Sequence, residues 1–143
     1  MKKIKNMKIK TTSVEDTMKV AGAFAKSLSA GDIVLLSGDL GAGKTVFTRG
    51  FVKGLGINDD VVSPTFTIMN EYGDGRVNHF DLYRLNSIEE FESTGAQEAL
   101  YSDAISIVEW PEIVGFDYFH GSAYVVKIEK LSDSVRNIEI KRN

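Results

Sequence analysis

The sequence predicts an α/β fold: a three-layer sandwich on a mixed, mainly parallel sheet, with a C-terminal β-hairpin. Three observations predict it. "DIVLLSG" (32–38) and "AISIVEW" (104–110) are continuous apolar runs, the pattern of strands covered on both faces. Segments with helical spacing alternate with strands in the first half of the chain, as in a layered α/β domain. "AYVVKIEKL" and "RNIEIKR" flank the turn-forming "SDS", which predicts the closing hairpin.

Each element has its own signal. "MKIKTT" (7–12) alternates and reads as a short strand. Ser13 is a helix cap, with Asp16 three residues on, and Val14, Met18, Ala21, Ala25 and Leu28 recur at helical spacing until Gly31. After the strand at 32–38, a helix is expected from about Lys44 to Leu55. Pro64 marks a loop that leads into a strand at about 67–72. "GDG" (73–75) turns the chain back into "RVNHFDLY", which makes a hairpin. "NSIEEFESTGAQEALYSD" is helical, with Ser87 and Glu90 as a capping box and Gly95 as a break. Pro111 ends the strand at 104–110.

The chain has 143 residues, 43% of them hydrophobic and 26% charged, which suits one globular domain over residues 1–143. No cysteine is present, so disulfides and thiolate-bound metals are excluded. No apolar run approaches the roughly 20 residues of a membrane span. The basic start "MKKIKNMKIK" lacks the apolar stretch of a signal peptide, and a cytoplasmic protein is expected. Five lysines stand in the first ten residues. The remainder carries twelve basic and twenty acidic residues, a balance that repels a nucleic-acid backbone. The lysines fit a solubilised edge strand better than an electrostatic tag.

Residues 38–45, Gly-Asp-Leu-Gly-Ala-Gly-Lys-Thr, fit G-x-x-x-x-G-K-[ST] completely, between an apolar strand and a helix. This is a P-loop. Its glycines let successive N–H groups converge on one anion, and the helix N-terminus adds partial positive charge. The chemistry assigns Lys44 to the β- and γ-phosphates and the Thr45 hydroxyl to Mg²⁺. A strand-end acid is needed as well. Glu109 and Asp81 are the two candidates, and Glu109 ends the more apolar strand. Whichever does not serve the metal is placed to orient the attacking water. Thr65 in "SPTFT" occupies the position of a γ-phosphate sensor, although turn chemistry alone accounts equally for Ser-Pro-Thr.

Other uses of a P-loop compete with ATP hydrolysis. The absence of N-K-x-D argues against a GTPase. A small-molecule kinase would need lid arginines, and Arg49, Arg76, Arg84, Arg136 and Arg142 are all the arginines the chain has. A nucleotide-bound interaction module with negligible turnover uses the same acids.

Taken in order, "SGDLGAGKT", "SPTFT", "HFDLYRL" and "VEWPE" resemble the TsaE (YjeE) family of small bacterial P-loop ATPases over about residues 12–112. The resemblance implies a part in forming N6-threonylcarbamoyladenosine at position 37 of tRNAs that read codons starting with A. It implies a TsaB–TsaD pair as partner, reset by the ATP cycle. Weak turnover alone and more in the complex are expected, and the acidic surface predicts no stable tRNA binding by the chain itself. Residue by residue, it implies phosphate contacts from Gly41, Ala42, Gly43, Lys44, Thr45 and Val46, and Mg²⁺ held by Thr45 and Glu109. Asp81 and Thr65 would serve hydrolysis or sensing, and Thr12, Ser13 and Arg136 would flank the adenine, although a solvated hairpin arginine is the safer reading of Arg136. Trp110 packs near the nucleotide or partner, or in the core. Val46 departs from many relatives, which carry a second threonine there.

Overall fold

A computed structural model describes residues 6–64 and 67–143. Seven strands form one sheet: β1 (Met7–Thr11), β2 (Ile33–Ser37), β3 (Met69–Tyr72), β4 (Val77–Asp81), β5 (Ile105–Glu109), β6 (Ala123–Lys130) and β7 (Arg136–Arg142). Their spatial order is β1-β7-β6-β2-β5-β4-β3. The central strands β6, β2, β5 and β4 pair in parallel, whereas β3, β7 and β1 join by antiparallel pairing. Following these pairings, β1 points the same way as the central four, so only β3 and β7 run against the rest. The mixed, mainly parallel sheet and the closing hairpin are as the sequence predicts.

Among the described residues, three α-helices accompany the sheet: α1 (Val14–Lys26), α2 (Lys44–Gly54) and the short α3 (Ile88–Ser93). Strand alternation sends side chains to two separate cores. Val34, Leu36, Ile105, Ile107, Val126, Ile138 and Ile140 pack with Ala21, Phe24, Phe47 and Phe51 of α1 and α2. Ile33, Leu35, Phe80, Val108 and Val125 pack with Phe91, Leu100, Val114 and Phe119 on the other side. The result is three layers. It explains why β2 reads as an unbroken apolar run: Ile33, Val34, Leu35 and Leu36 are all buried, on alternating faces.

Both sheet edges are blunted, as exposed edges must be. β1 carries Lys8 and Lys10 at one edge, which is the use the sequence suggests for these lysines. At the other edge β3 is only four residues long.

The helix caps follow the sequence in part. Ser13 Oγ accepts from Asp16 N at 3.0 Å, and the Asp16 carboxylate accepts from Thr12 N at 3.1 Å. Ser87 Oγ accepts from Glu90 N at 3.1 Å. Helix α1 ends at Lys26, a turn before Gly31. Ser27 closes it: its hydroxyl donates to Phe24 O at 2.6 Å, satisfying a carbonyl that a continuing helix would need. Leu28 still packs on the core from outside the helix, which is why its spacing looks helical. Gly95 (φ 78°) breaks the next segment as expected, but its second half, Ala96–Tyr101, is a 3₁₀ helix.

Helix α1 crosses α2 at backbone contact. A Cβ on Gly54 would lie 2.4 Å from Gly22 Cα, and one on Gly50 would lie 2.5 Å from Met18 Cα. No side-chain rotation relieves a clash with backbone. Gly54→Ala is therefore expected to destabilise the protein by about 1–3 kcal/mol, as an overpacked core does. Urea unfolding checks this, with a lower midpoint and unchanged slope expected.

Candidate functional site

The parallel strands end where α2 begins. Chain alternation puts Val77, His79 and Asp81 of β4, and Ile105, Ile107 and Glu109 of β5, on the face that meets α2, since Val77, Ile105 and Ile107 join the α1/α2 core. Asp81 and Glu109 are register partners at the strand ends. Both carboxylates therefore face the N-terminus of α2.

The loop before α2 is built by its glycines. Gly43, the helix N-cap, has φ 108°, a conformation that a side chain strongly disfavours. Lys44 follows in the first turn and is buried. Its Nζ donates to Gly38 O at 2.6 Å and lies 3.7 Å from the centre of the Trp110 ring. A cation on an aromatic face is attracted by the ring's negative face. Trp110 itself has φ 58°, rare for a tryptophan, and its ring packs on Tyr83 at 4.9 Å between centroids. Burial pushes the Lys44 amine below its ordinary value, against the pull of Glu109, Glu112, Asp81 and Asp39. The ammonium is thus poorly hydrated and faces the space above the loop.

Gly41, Gly43, Lys44, Thr45, Val46, Asp81, Glu109 and Arg136 line one cavity of about 350 Å³, with Leu40, Ser63, Tyr83 and Trp110. The structure thus brings together most of the residues singled out in the sequence. A second cavity of about 120 Å³ adjoins it, lined by Ser13, Val14, Thr17, Gly43, Val46 and Arg136 among others. Ser13 and Arg136 therefore share a pocket beside the loop. Thr12 lines neither cavity: its N–H and hydroxyl both donate to Asp16. Ala42 is buried, and its carbonyl accepts from Arg136 Nε at 2.7 Å. Arg136 also donates to Ser132 O at 2.7 Å, so it ties the loop to the C-terminal hairpin. Thr65 lies outside the described residues. A larger cavity of about 590 Å³ sits on the other side of the loop, lined by Ser37, Asp39, Lys127, Glu129 and neighbours. It contains neither Lys44 nor the strand-end acids, which line the smaller one.

Two features escape a sequence reading. Glu109 is almost wholly buried, and its Oε2 lies 2.5 Å from Nε2 of His79, which is fully buried. Tyr83 and Ser63 join the cavity from loops. "HFDLYRL" contains His79 and Tyr83, but only the strand register reveals that His79 reaches Glu109.

Burial raises the Asp81 pKa above the ordinary 3.8, and repulsion from Glu109 adds to the rise; the Tyr83 N–H, His79 and Lys44 oppose it. The folded state therefore holds its proton more tightly than the unfolded chain. Stability falls as pH rises from 3.8 through the raised value, and at neutral pH the full cost is present. Asp81→Asn removes that cost and keeps an oxygen for the Tyr83 N–H, which now donates to Oδ1 at 3.0 Å. The variant is expected to melt at higher temperature than the parent at pH 7, with the gap closing below pH 3.8. Thermal melts across pH check this.

The comparisons with known proteins agree with this geometry. A family model described as "Threonylcarbamoyl adenosine biosynthesis protein TsaE" matches residues 11–138. A tRNA threonylcarbamoyladenosine biosynthesis protein TsaE of Bacillus subtilis is 42% identical over 113 residues, covering 78% of this chain and 70% of that protein. The protein of the same name from Treponema pallidum is 36% identical over 136 residues, 94% of this chain and 99% of that one. The crystal structure of Bacillus subtilis YdiB superposes with a TM-score of 0.78 at 33% identity, over 98% of this chain and 87% of that one. With a P-loop fold and matches of this extent, the chain belongs to the TsaE family of tRNA threonylcarbamoyladenosine biosynthesis proteins.

Proposed function

We propose that this protein is a Mg²⁺-dependent ATPase that binds a TsaB–TsaD pair and supports threonylcarbamoyladenosine formation on tRNA. ATP binding and hydrolysis reset that pair between turnovers. Turnover is weak in the isolated chain and stronger in the complex. The acidic body of the chain argues that tRNA is engaged through the partners. The observation that carries the reading is the convergence of Lys44, Thr45, Asp81 and Glu109 on one cavity at the N-terminus of α2.

The roles follow from chemistry. The amides of residues 41–46 and the start of α2 bind the phosphate chain. Lys44, already stripped of much of its water, exchanges Gly38 O for the β- and γ-phosphates. A divalent cation fits the donor set: two carboxylates and a hydroxyl are hard oxygen ligands, and Asp81 is crowded by Glu109 without full compensation. Thr45 and Glu109 would hold it, Glu109 through Oε1, since His79 engages Oε2. When bound it neutralises charge on the phosphates. Asp81 then orients the attacking water, and Thr65 senses the γ-phosphate. Ser13 and Arg136 border the pocket proposed for the adenine.

Lys44→Ala is expected to abolish ATP turnover in the complex, by at least about a hundredfold, the scale of a lost transition-state charge contact. Phosphate release without any added acceptor, measured with and without the partner pair, checks the reading. Normal turnover by Lys44→Ala, or release only when a small acceptor is supplied, would contradict it. Glu109→Ala is expected to lose the gain in ATP affinity that Mg²⁺ gives the parent, which calorimetry with and without Mg²⁺ reads directly.

A further inference from the structure

Glu109 does not stand alone in the cleft. Its Oε2 meets His79 Nε2 at 2.5 Å, and His79 Nδ1 lies 3.3 Å from the Tyr72 hydroxyl. That hydroxyl donates to Val62 O at 2.9 Å and accepts from Val62 N at 3.2 Å. Three adjacent strands thus supply one member each, Tyr72 from β3, His79 from β4 and Glu109 from β5. The line runs from the cleft to both backbone groups of one residue in the loop after α2.

Two facts make this more than a satisfied buried pair. Val62 is 59% exposed, so little packing fixes it; Tyr72 and Asn70, whose amide donates to Val62 O at 3.0 Å, hold its backbone. The next residue, Ser63, lines the same cavity as Glu109. The loop and the carboxylate therefore enter the cleft from different parts of the chain, and this line of hydrogen bonds joins them.

We propose that His79, braced by Tyr72, is a positioning residue: it fixes Glu109 in the cleft and ties its place to the Val62 backbone. His79 touches neither nucleotide nor metal in this account and acts through Glu109. The kinetic part of the proposal rests on the ATPase reading above; the mechanical part does not.

Two conservative variants test it. Tyr72→Phe removes one oxygen and keeps the ring. It is expected to lower kcat for ATP in the partner complex about fivefold, the scale of one lost buried hydrogen bond, with KM within about twofold. A role confined to core packing would lower the melting temperature and leave kcat at the parental value, and that result would overturn the proposal. His79→Gln keeps an amide donor for Glu109 but offers Tyr72 no ring nitrogen. In the nucleotide-free variant the Val62 amide is expected to exchange with solvent about fivefold faster than in the parent. Unchanged exchange at Val62 would overturn the mechanical link. If the parent complex hydrolyses no ATP, the ATPase reading fails, and the exchange measurement still decides the link.

Discussion

The site depends on one interaction, the placement of a buried ammonium at the mouth of a helix. Among the described residues, Lys44 is held by one carbonyl, Gly38 O, and by the face of Trp110, with carboxylates nearby that attract it without pairing at contact distance. Burial weakens the charged form, so the lysine gains from any anion that reaches it. The loop amides and the start of α2 make the same demand from the other side. The surrounding architecture keeps this arrangement in place. Glycines let α1 press on α2 and fix its axis, Arg136 pins the loop through Ala42 O, and Trp110 accepts a left-handed backbone to lie under the ammonium.

The sheet does the rest by alternation. Because β4 and β5 run parallel in register, Asp81 and Glu109 finish side by side on the face that α2 covers. Burial, with repulsion from Glu109 added, raises the affinity of Asp81 for a proton, a cost that folding bears. His79 compensates Glu109 from within the same row of side chains. The two acids thus have different surroundings, one half-buried beside a loop N–H, the other buried against an imidazole. The proposed division of metal binding and water orientation between them rests on that difference.

What could be read from the sequence was what is local. The P-loop spacing, the apolar strands before and after it, the cap at Ser13 and the break at Gly95 each depend on a few consecutive residues, and each is found. Asp81 and Glu109 were legible because strand ends are visible as limits of apolar runs. Their link to His79 was not, because it depends on which residue of β4 lies beside which of β5, some thirty residues apart. The end of α1 was misplaced because Leu28 packs on the core from a turn, and burial imitates helical spacing. The N–H and hydroxyl of Thr12 both serve Asp16 at the helix start, a local competition that sequence cannot resolve.

Trp110 is the one tryptophan of the chain, and Lys44 rests on its ring. In the proposed ATP complex the ammonium leaves this ring and Gly38 O for the phosphates. Titrating the protein with ATP while following tryptophan emission tests it directly. A saturable change is predicted for ATP with the same midpoint as calorimetric binding, and none for adenosine, which carries no phosphate. ATP binding by calorimetry without any change in Trp110 emission would contradict the account.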